Sequence, residues 1–392
     1  MKKILIMCNV DPNTSPRPNR MSEWLKDQYQ VTILGRQIAR ISGIENSFLL
    51  SSSGLFGTLD RNQSLTHKIR AFLYRLLLFF KKDYEGLIWA SLNRPAKLLN
   101  LLADMNFDLI ITHDCTLLPM AFSVKGETAA KIMLDAREYY PKNFDDRWLW
   151  RIFVKPLNEY LCAKYIPLCD KIITVSQGIA REYEHAYGVH AEVVMSLPRS
   201  SMLSPAAARS DRFRLIHHGS ASQSRRIEDM VELMDYTDKR FSLDLMLVGD
   251  GPYMSRLRRM VERRRNVRIL PPVAMQEIVP FIHQYDIGVF LCPPSNFNLK
   301  YALPNKLFEF IQARLAVAVS PSVEMRTIVE DYNCGIVSND FSPQSMAHAL
   351  NSLTSEKIAF FKNQSHKAAA KLNAEANQTR VLEIVDDLIG KG

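Results

Sequence analysis

Residues 298–320 read NLKYALPNKLFEFIQARLAVAVS. A polar loop ends in Leu303-Pro304-Asn305, a short helix follows over about residues 306–313, and a buried strand closes the stretch over residues 315–320. Proline is tolerated just before a helix or in its first turn, where no backbone N–H is lost. The helix start therefore presents free N–H groups and the positive end of its dipole. Asn305 stands at that start, and Lys306 adds a cation. Glu309 lies one turn later on a helix of about two turns, so its carboxylate stays near the same loop. Groups that seek phosphate next to a carboxylate that seeks hydroxyls suit a nucleotide diphosphate with its ribose.

Outward from this stretch, short apolar runs recur between helical segments: residues 243–248, 267–270, 287–291 and the short 335–337. This alternation predicts a parallel α/β sheet, whose ligands bind beyond the carboxyl ends of the strands. One such end reads His217-His218-Gly219-Ser220, followed by a helix opening with Arg225-Arg226-Ile227-Glu228. A guanidinium can hold phosphate through two parallel hydrogen bonds, so Arg225 is a phosphate-binding candidate rather than a solvated helix-start residue. Another strand end reads Leu247-Val248-Gly249-Asp250-Gly251-Pro252, a glycine turn with proline opening the next helix.

The first half repeats the pattern. Apolar strands are expected at residues 3–8, 30–34, 108–112, 130–134 and 171–175, with a helix over 19–28 after a proline-rich loop. Their carboxyl ends direct attention to Asn9, His113, Asp114, Asp135 and Ser176. A Ser/Pro/Ala-rich break over 194–212 separates the halves.

Composition is compatible with this plan. A chain of 392 residues is natural for two domains, and 47% hydrophobic with 23% charged residues is ordinary for a globular protein. The net charge of +9 favours anionic partners. Nucleic acid is disfavoured: the seven arginines between Arg256 and Arg268 read as a solvated face, with no aromatic interleaving or helix-turn-helix pattern. The six cysteines form no C-x-x-C pair and no zinc spacing, which suits reduced thiols in a cytoplasm and no bound metal. The opening MKKILIMCNV is interrupted by Asn9, Asp11 and Pro12, as a first strand rather than a leader. Residues 68–102 are basic and strongly apolar, with Leu76, Leu77, Leu78, Phe79 and Phe80 flanked by Arg70, Arg75, Lys81 and Lys82. Such a segment suits either an anionic membrane surface or a core helix with a basic edge, and is too short to span.

Pro304, Lys306 and Glu309, followed by Val317-Ala318-Val319-Ser320, resemble the donor-site helix of family 4 glycosyltransferases, with its P-x-K-x-x-E pattern. The glycine turn at Gly249 and the strand end at Gly219 with Arg225 also resemble that family, as does Leu134-Asp135-Ala136-Arg137-Glu138, where Arg137 replaces a usual His. The resemblance implies the GT-B fold: an α/β protein with two Rossmann-like domains facing across a cleft. It implies an N-terminal acceptor domain over 1–195, a linker over 196–212, a donor domain over 213–365, and a last helix, 366–392, that crosses back. By this resemblance Arg225, Lys306 and Glu309 are the catalytic residues. Gly219, Ser220, Arg225, Gly249, Pro272, Val273, Asn305, Lys306 and Glu309 bind the donor, and Arg17, His113, Asp114, Asp135 and Glu138 lie on the acceptor side. Glu309 matches the second glutamate of the family's Glu, seven residues, Glu motif, and Tyr301 stands in place of the first. Arg226, Arg314 and Ala316 replace Gly, Gly and Pro, so a differently shaped turn is expected at Arg314.

The activity so implied is transfer, with retention and without metal or cofactor, of a sugar from a UDP- or GDP-linked donor to a glycan or lipid-linked acceptor. The setting is bacterial surface polysaccharide synthesis, in the cytoplasm or peripheral on the inner membrane face. Two readings compete: a GT-B enzyme with a different donor, and a non-catalytic glycan- or lipid-binding partner in an assembly complex.

Overall fold

In the computed structural model, residues 1–51, 65–93, 95–207 and 212–390 are described, with side chains of the helix at 65 described from Ile69 onward. Residues 208–211 of the expected linker, Lys68's side chain and Arg94 lie outside that description. The chain divides into two compact units, Met1–Val194 with Gln378–Gly392, and Met195–Asn377.

The first unit carries strands β1 (Lys3–Met7), β2 (Gln30–Gly35), β3 (Asn46–Leu49), β4 (Leu109–Thr112), β5 (Lys131–Ala136), β6 (Lys171–Thr174) and β7 (Ala191–Val193). They form one parallel sheet in the order β3-β2-β1-β4-β5-β6-β7. The five central strands are the apolar runs that the sequence displays. β3 and β7 are edge strands, half exposed, and their sequences NSFL and AEV carry no apolar run. The helix after β1 is Pro16–Leu25 rather than one beginning at residue 19, because Pro16 and Pro18 both fit a first helical turn. Residues 68–102 resolve into parts of three helices, Leu65–Phe80, Tyr84–Ser91 and Ala96–Asp104.

The second unit carries β8 (Phe213–Ser220), β9 (Phe241–Val248), β10 (Val267–Leu270), β11 (Ile287–Phe290), β12 (Ala316–Val319) and β13 (Gly335–Val337). Their parallel order is β10-β9-β8-β11-β12-β13. Alternate strand residues feed two separate apolar cores, one with Leu215, Leu245 and Val289, the other with Ile216, Met246 and Phe290. The strand order reverses at β1/β4 and at β8/β11, the switch points where open α/β sheets hold ligands.

The unit boundaries correct the expected domains. Residues 196–207 of the expected linker belong to the second unit: Leu197 is buried in its core, Ser200 N donates to Glu375, and Arg314 donates to Ser201 O and Leu203 O. The returning segment is also shorter than 366–392. Helix Ser355–Ala369 packs in the second unit, and the last helix, Ala374–Ile389, places Val381, Ile384 and Val385 in the core of the first.

Candidate functional site

The helix that carries Lys306 runs Asn305–Gln312, with Pro304 as its N-cap and no side-chain cap on its first amides. Its seat is set by Gly288 of β11: a Cβ there would fall 2.2 Å from the Phe310 ring, so only glycine lets this helix lie so close to the sheet. The helix thereby brings Lys306 under the carboxyl end of β8.

There the amine of Lys306 meets the chain at Gly219. A Cβ on Gly219 would lie 3.0 Å from Lys306 Nζ and 3.7 Å from Arg225 Nη1, and the φ of +129° is one that side chains rarely adopt. Backbone, lysine amine and guanidinium thus converge on one point at the β8/β11 switch. His217 Nδ1 lies 3.0 Å from Val289 O, a pure acceptor, so Nδ1 carries the proton and Nε2 accepts from Lys306 Nζ at 3.2 Å. Lys306 Nζ also sits 4.3 Å from the centre of the Phe290 ring. Burial, and then the Arg225 charge, hold the Lys306 amine well below the ordinary lysine pKa. Burial first and Lys306 second keep His217 neutral, and lower His218 to about 3. Glu309 Oε2 is 3.3 Å from His218 Nε2, close without forming a hydrogen bond. Tyr301, in place of the first glutamate, ends the short helix Phe297–Lys300 and packs on Phe297 at 4.9 Å.

The remaining donor-side candidates form a neighbouring group. Gly249 follows β9, which pairs with β8, and touches the turn after Gly219 through Ala221. Gly249 and Pro272 line a cavity of about 650 Å³ beyond the ends of β9 and β10. Ser220 is the exposed last residue of β8, and Val273 packs partly buried against the core.

Both arginines that stand where glycine is usual adopt glycine's conformation. Arg226 has φ +45° and Arg314 φ +61°. The turn at Arg314 therefore keeps the left-handed shape, contrary to expectation. Its guanidinium compensates by donating to Ser201 O at 2.6 Å, Gln312 O at 2.7 Å and Leu203 O at 3.1 Å.

In the first unit, Arg17, His113 and Asp135 come together as a buried cluster at the ends of β4 and β5. Arg17 Nε donates to Asp135 Oδ2 at 2.6 Å, Arg17 Nη1 donates to Val194 O at 2.8 Å, and His113 Nδ1 is 2.9 Å from Asp135 Oδ2. Desolvation would raise the Asp135 pKa, but Arg17 and then His113 hold it far below the carboxylate range. Asp135 is fully buried, and its carboxylate contacts both Arg17 and His113. Arg17 Nη2 and His113 Nε2 keep no hydrogen-bond partner. Asp114 and Glu138 lie elsewhere, lining a cavity of about 230 Å³ with Arg137. Among the described residues, no cluster of three His, Cys, Asp or Glu is placed to hold a metal ion, and no helix is long and apolar enough to cross a membrane.

Comparison with known proteins bears on what these groups do. Residues 212–356 match the family described as glycosyl transferases group 1. HepE of Anabaena, solved with UDP-glucose, is 13% identical, covering 99% of this chain and 100% of its own, with a TM-score of 0.70. Sucrose-phosphate synthase of Thermosynechococcus elongatus is 11% identical over 99% of each chain, TM-score 0.70. TarM of S. aureus, solved with UDP, is 14% identical with a TM-score of 0.58, and covers 73% of this chain. This chain spans 57% of TarM's length. No curated protein matches the sequence. The fold is GT-B, two Rossmann-like domains.

Sequence reasoning missed the partners of Lys306. A polar His217 inside the buried run LIHH was the available signal, since most buried polar side chains are hydrogen-bonded. It also missed Trp150 and its helix, which stand beside Asp114 and Arg137.

Proposed function

We propose that the chain transfers a sugar, with retention of configuration, from a UDP- or GDP-linked donor to a glycan or lipid-linked acceptor, as in bacterial surface polysaccharide synthesis. The observation that carries this reading is the convergence of Lys306 and Arg225 on the Gly219 backbone, with Glu309 one turn along the same helix. The cations and the helix start offset the charge that grows on the leaving diphosphate, so no metal is required. Glu309 takes the ribose hydroxyls. A leaving-phosphate oxygen accepts the acceptor's proton, and no protein base is needed. The cavity beside Gly249 and Pro272 takes the base. UDP-glucose bound to the structurally similar HepE favours a uridine donor.

Thermal shift against UDP, GDP, ADP and CMP, with and without EDTA, tests the assignment, because a ligand of the folded state raises apparent stability. A selective shift insensitive to EDTA is expected. Arg225→Ala and Lys306→Ala should each lower turnover by about a hundredfold with the fold intact, and near-normal kinetics in both overturn the reading. Tyr301 in place of a donor-sugar glutamate favours one rival, a GT-B enzyme with a different donor or chemistry, which product analysis with a panel of nucleotide sugars separates; donor turnover by the purified chain excludes a non-catalytic binding partner. Peripheral attachment to an anionic membrane is a separate part of the proposal: flotation with anionic liposomes should weaken in Lys81→Glu/Lys82→Glu, and unchanged flotation counts against it.

A further inference from the structure

Helix Leu65–Phe80 inverts the usual burial pattern. Ile69, Leu73, Leu77 and Phe80 share one face at helical spacing and point outward, Phe80 being 70% exposed. Arg75 instead points inward, 4% exposed, and donates to Ala90 O at 3.1 Å. A second helix, Trp148–Phe153, exposes Trp148, Leu149 and Ile152. Phe79 packs on Phe153 at 5.5 Å and joins the two helices. A groove of about 820 Å³ runs here, lined by Phe72, Leu76, Trp148, Leu149 and Phe153. Exposed Arg70, Lys81, Lys82, Arg147 and Arg151 lie on these helices or just beyond their ends.

Trp150 and Val154 line this groove and also the polar cavity of about 230 Å³ that holds Asp114, Arg137, Glu138, Asn143 and Asn158. Asp114 and Arg137 stand just past the carboxyl ends of β4 and β5, beside a switch point. Arg137 Nε is buried without a hydrogen-bond partner. An apolar groove with basic residues around it, adjoining across Trp150 and Val154 a small cavity that holds an arginine with an unsatisfied Nε and hydroxyl-seeking carboxylates, has the polarity of one ligand class. That class has a hydrocarbon chain, an anionic joint and a hydroxyl-bearing head.

We propose that this groove seats the hydrocarbon chain of a lipid-linked acceptor, whose phosphate-bearing head enters the cavity at Arg137. The proposal rests on the transferase reading and names its acceptor class. A bilayer surface alone would use the outward faces of the two helices but neither the groove nor the cavity. A protein partner would leave the adjoining cavity at Arg137 without a role.

Titration of the purified chain with n-alkyl phosphates from hexyl to dodecyl, below their micelle thresholds and alongside the matching alcohols, tests this by calorimetry. Each added methylene should tighten binding up to about fourfold, and the phosphates should bind more tightly than the alcohols. Phe72→Glu/Leu149→Glu should flatten the dependence on chain length, while Arg137→Met should weaken all the phosphates alike. Circular dichroism checks that the variants fold. An undiminished chain-length dependence in the double variant, or binding only to vesicles, overturns the proposal. Thermal shift with UDP on the same samples separates the two readings. A UDP shift with no alkyl phosphate binding removes only the lipid seat; no shift with any nucleotide removes the transferase reading beneath it.

Discussion

Lys306 is a lysine whose environment disfavours its own charge. Burial and Arg225 both depress its pKa. Between that depressed value and the ordinary lysine value, the unfolded chain binds a proton that the folded chain does not, so this residue's contribution to stability rises with pH across that window. A diphosphate at Gly219 acts in the opposite direction and favours the ammonium. Nucleotide binding should therefore take up a proton, and affinity should fall as pH rises through the bound-state pKa. Calorimetry in buffers of different ionisation enthalpy reads the uptake directly. It should vanish in Lys306→Met, and a wild-type uptake of zero contradicts this account. The residue scale also marks where sequence reasoning was weakest. Pro304, Lys306 and Glu309 were legible because their spacing is local to one helix. The conformation of Arg314 was not, because it depends on carbonyls at Ser201 and Leu203, more than a hundred residues away in the chain. A left-handed arginine costs about 1–2 kcal/mol, a penalty that these long-range hydrogen bonds offset.

At the scale of elements, Gly288 sets how closely helix Asn305–Gln312 lies on the sheet. Gly288→Ala would put a methyl group against the Phe310 ring, which cannot yield in a filled core. A loss of about 2–3 kcal/mol in urea denaturation is expected, with weakened nucleotide binding because Lys306 moves with the helix. Unchanged stability and affinity would mean that the helix is seated by other contacts. Central strands were legible from their apolar runs, since a strand buried on both faces must be apolar throughout. Edge strands β3 and β7 were not, because residues half exposed to water carry no such constraint. Helix Leu65–Phe80 was legible as apolar and basic but not as to which face points outward, a matter that Arg75's partner at Ala90 decides.

At the largest scale the chain divides into two units, and the first is completed by helix Ala374–Ile389. Tyr29 hydrogen-bonds Asp386, Arg380 pairs with Glu192, and Val381, Ile384 and Val385 fill the core beside Leu25 and Ile33. Val385→Asp would bury a carboxylate in that core, a change of several kcal/mol. Scanning calorimetry should show the first unit melting earlier while a nucleotide still shifts the second. A single transition displaced as a whole would mean that the units unfold together. The two-unit plan was legible in the repeated alternation of strands and helices. Its boundaries were not: the Ser/Pro/Ala-rich break looks like a free linker, yet Leu197 and the backbone at Ser200, Ser201 and Leu203 are tied into the second unit.

That returning helix sets an order of events during synthesis. The ribosome delivers Met1–Val194 before all of Met195–Asn377, and only after both the residues that cover Tyr29 and Leu25. At translation speeds of roughly 5–20 residues per second, the earlier unit waits on the order of ten seconds or more with an apolar face uncovered. The later unit lacks no segment of its own by then and can close first. A nascent chain of this protein is thus exposed to chaperones and to aggregation at the earlier-made of the two units, and the arrival of helix Ala374–Ile389 ends that exposure.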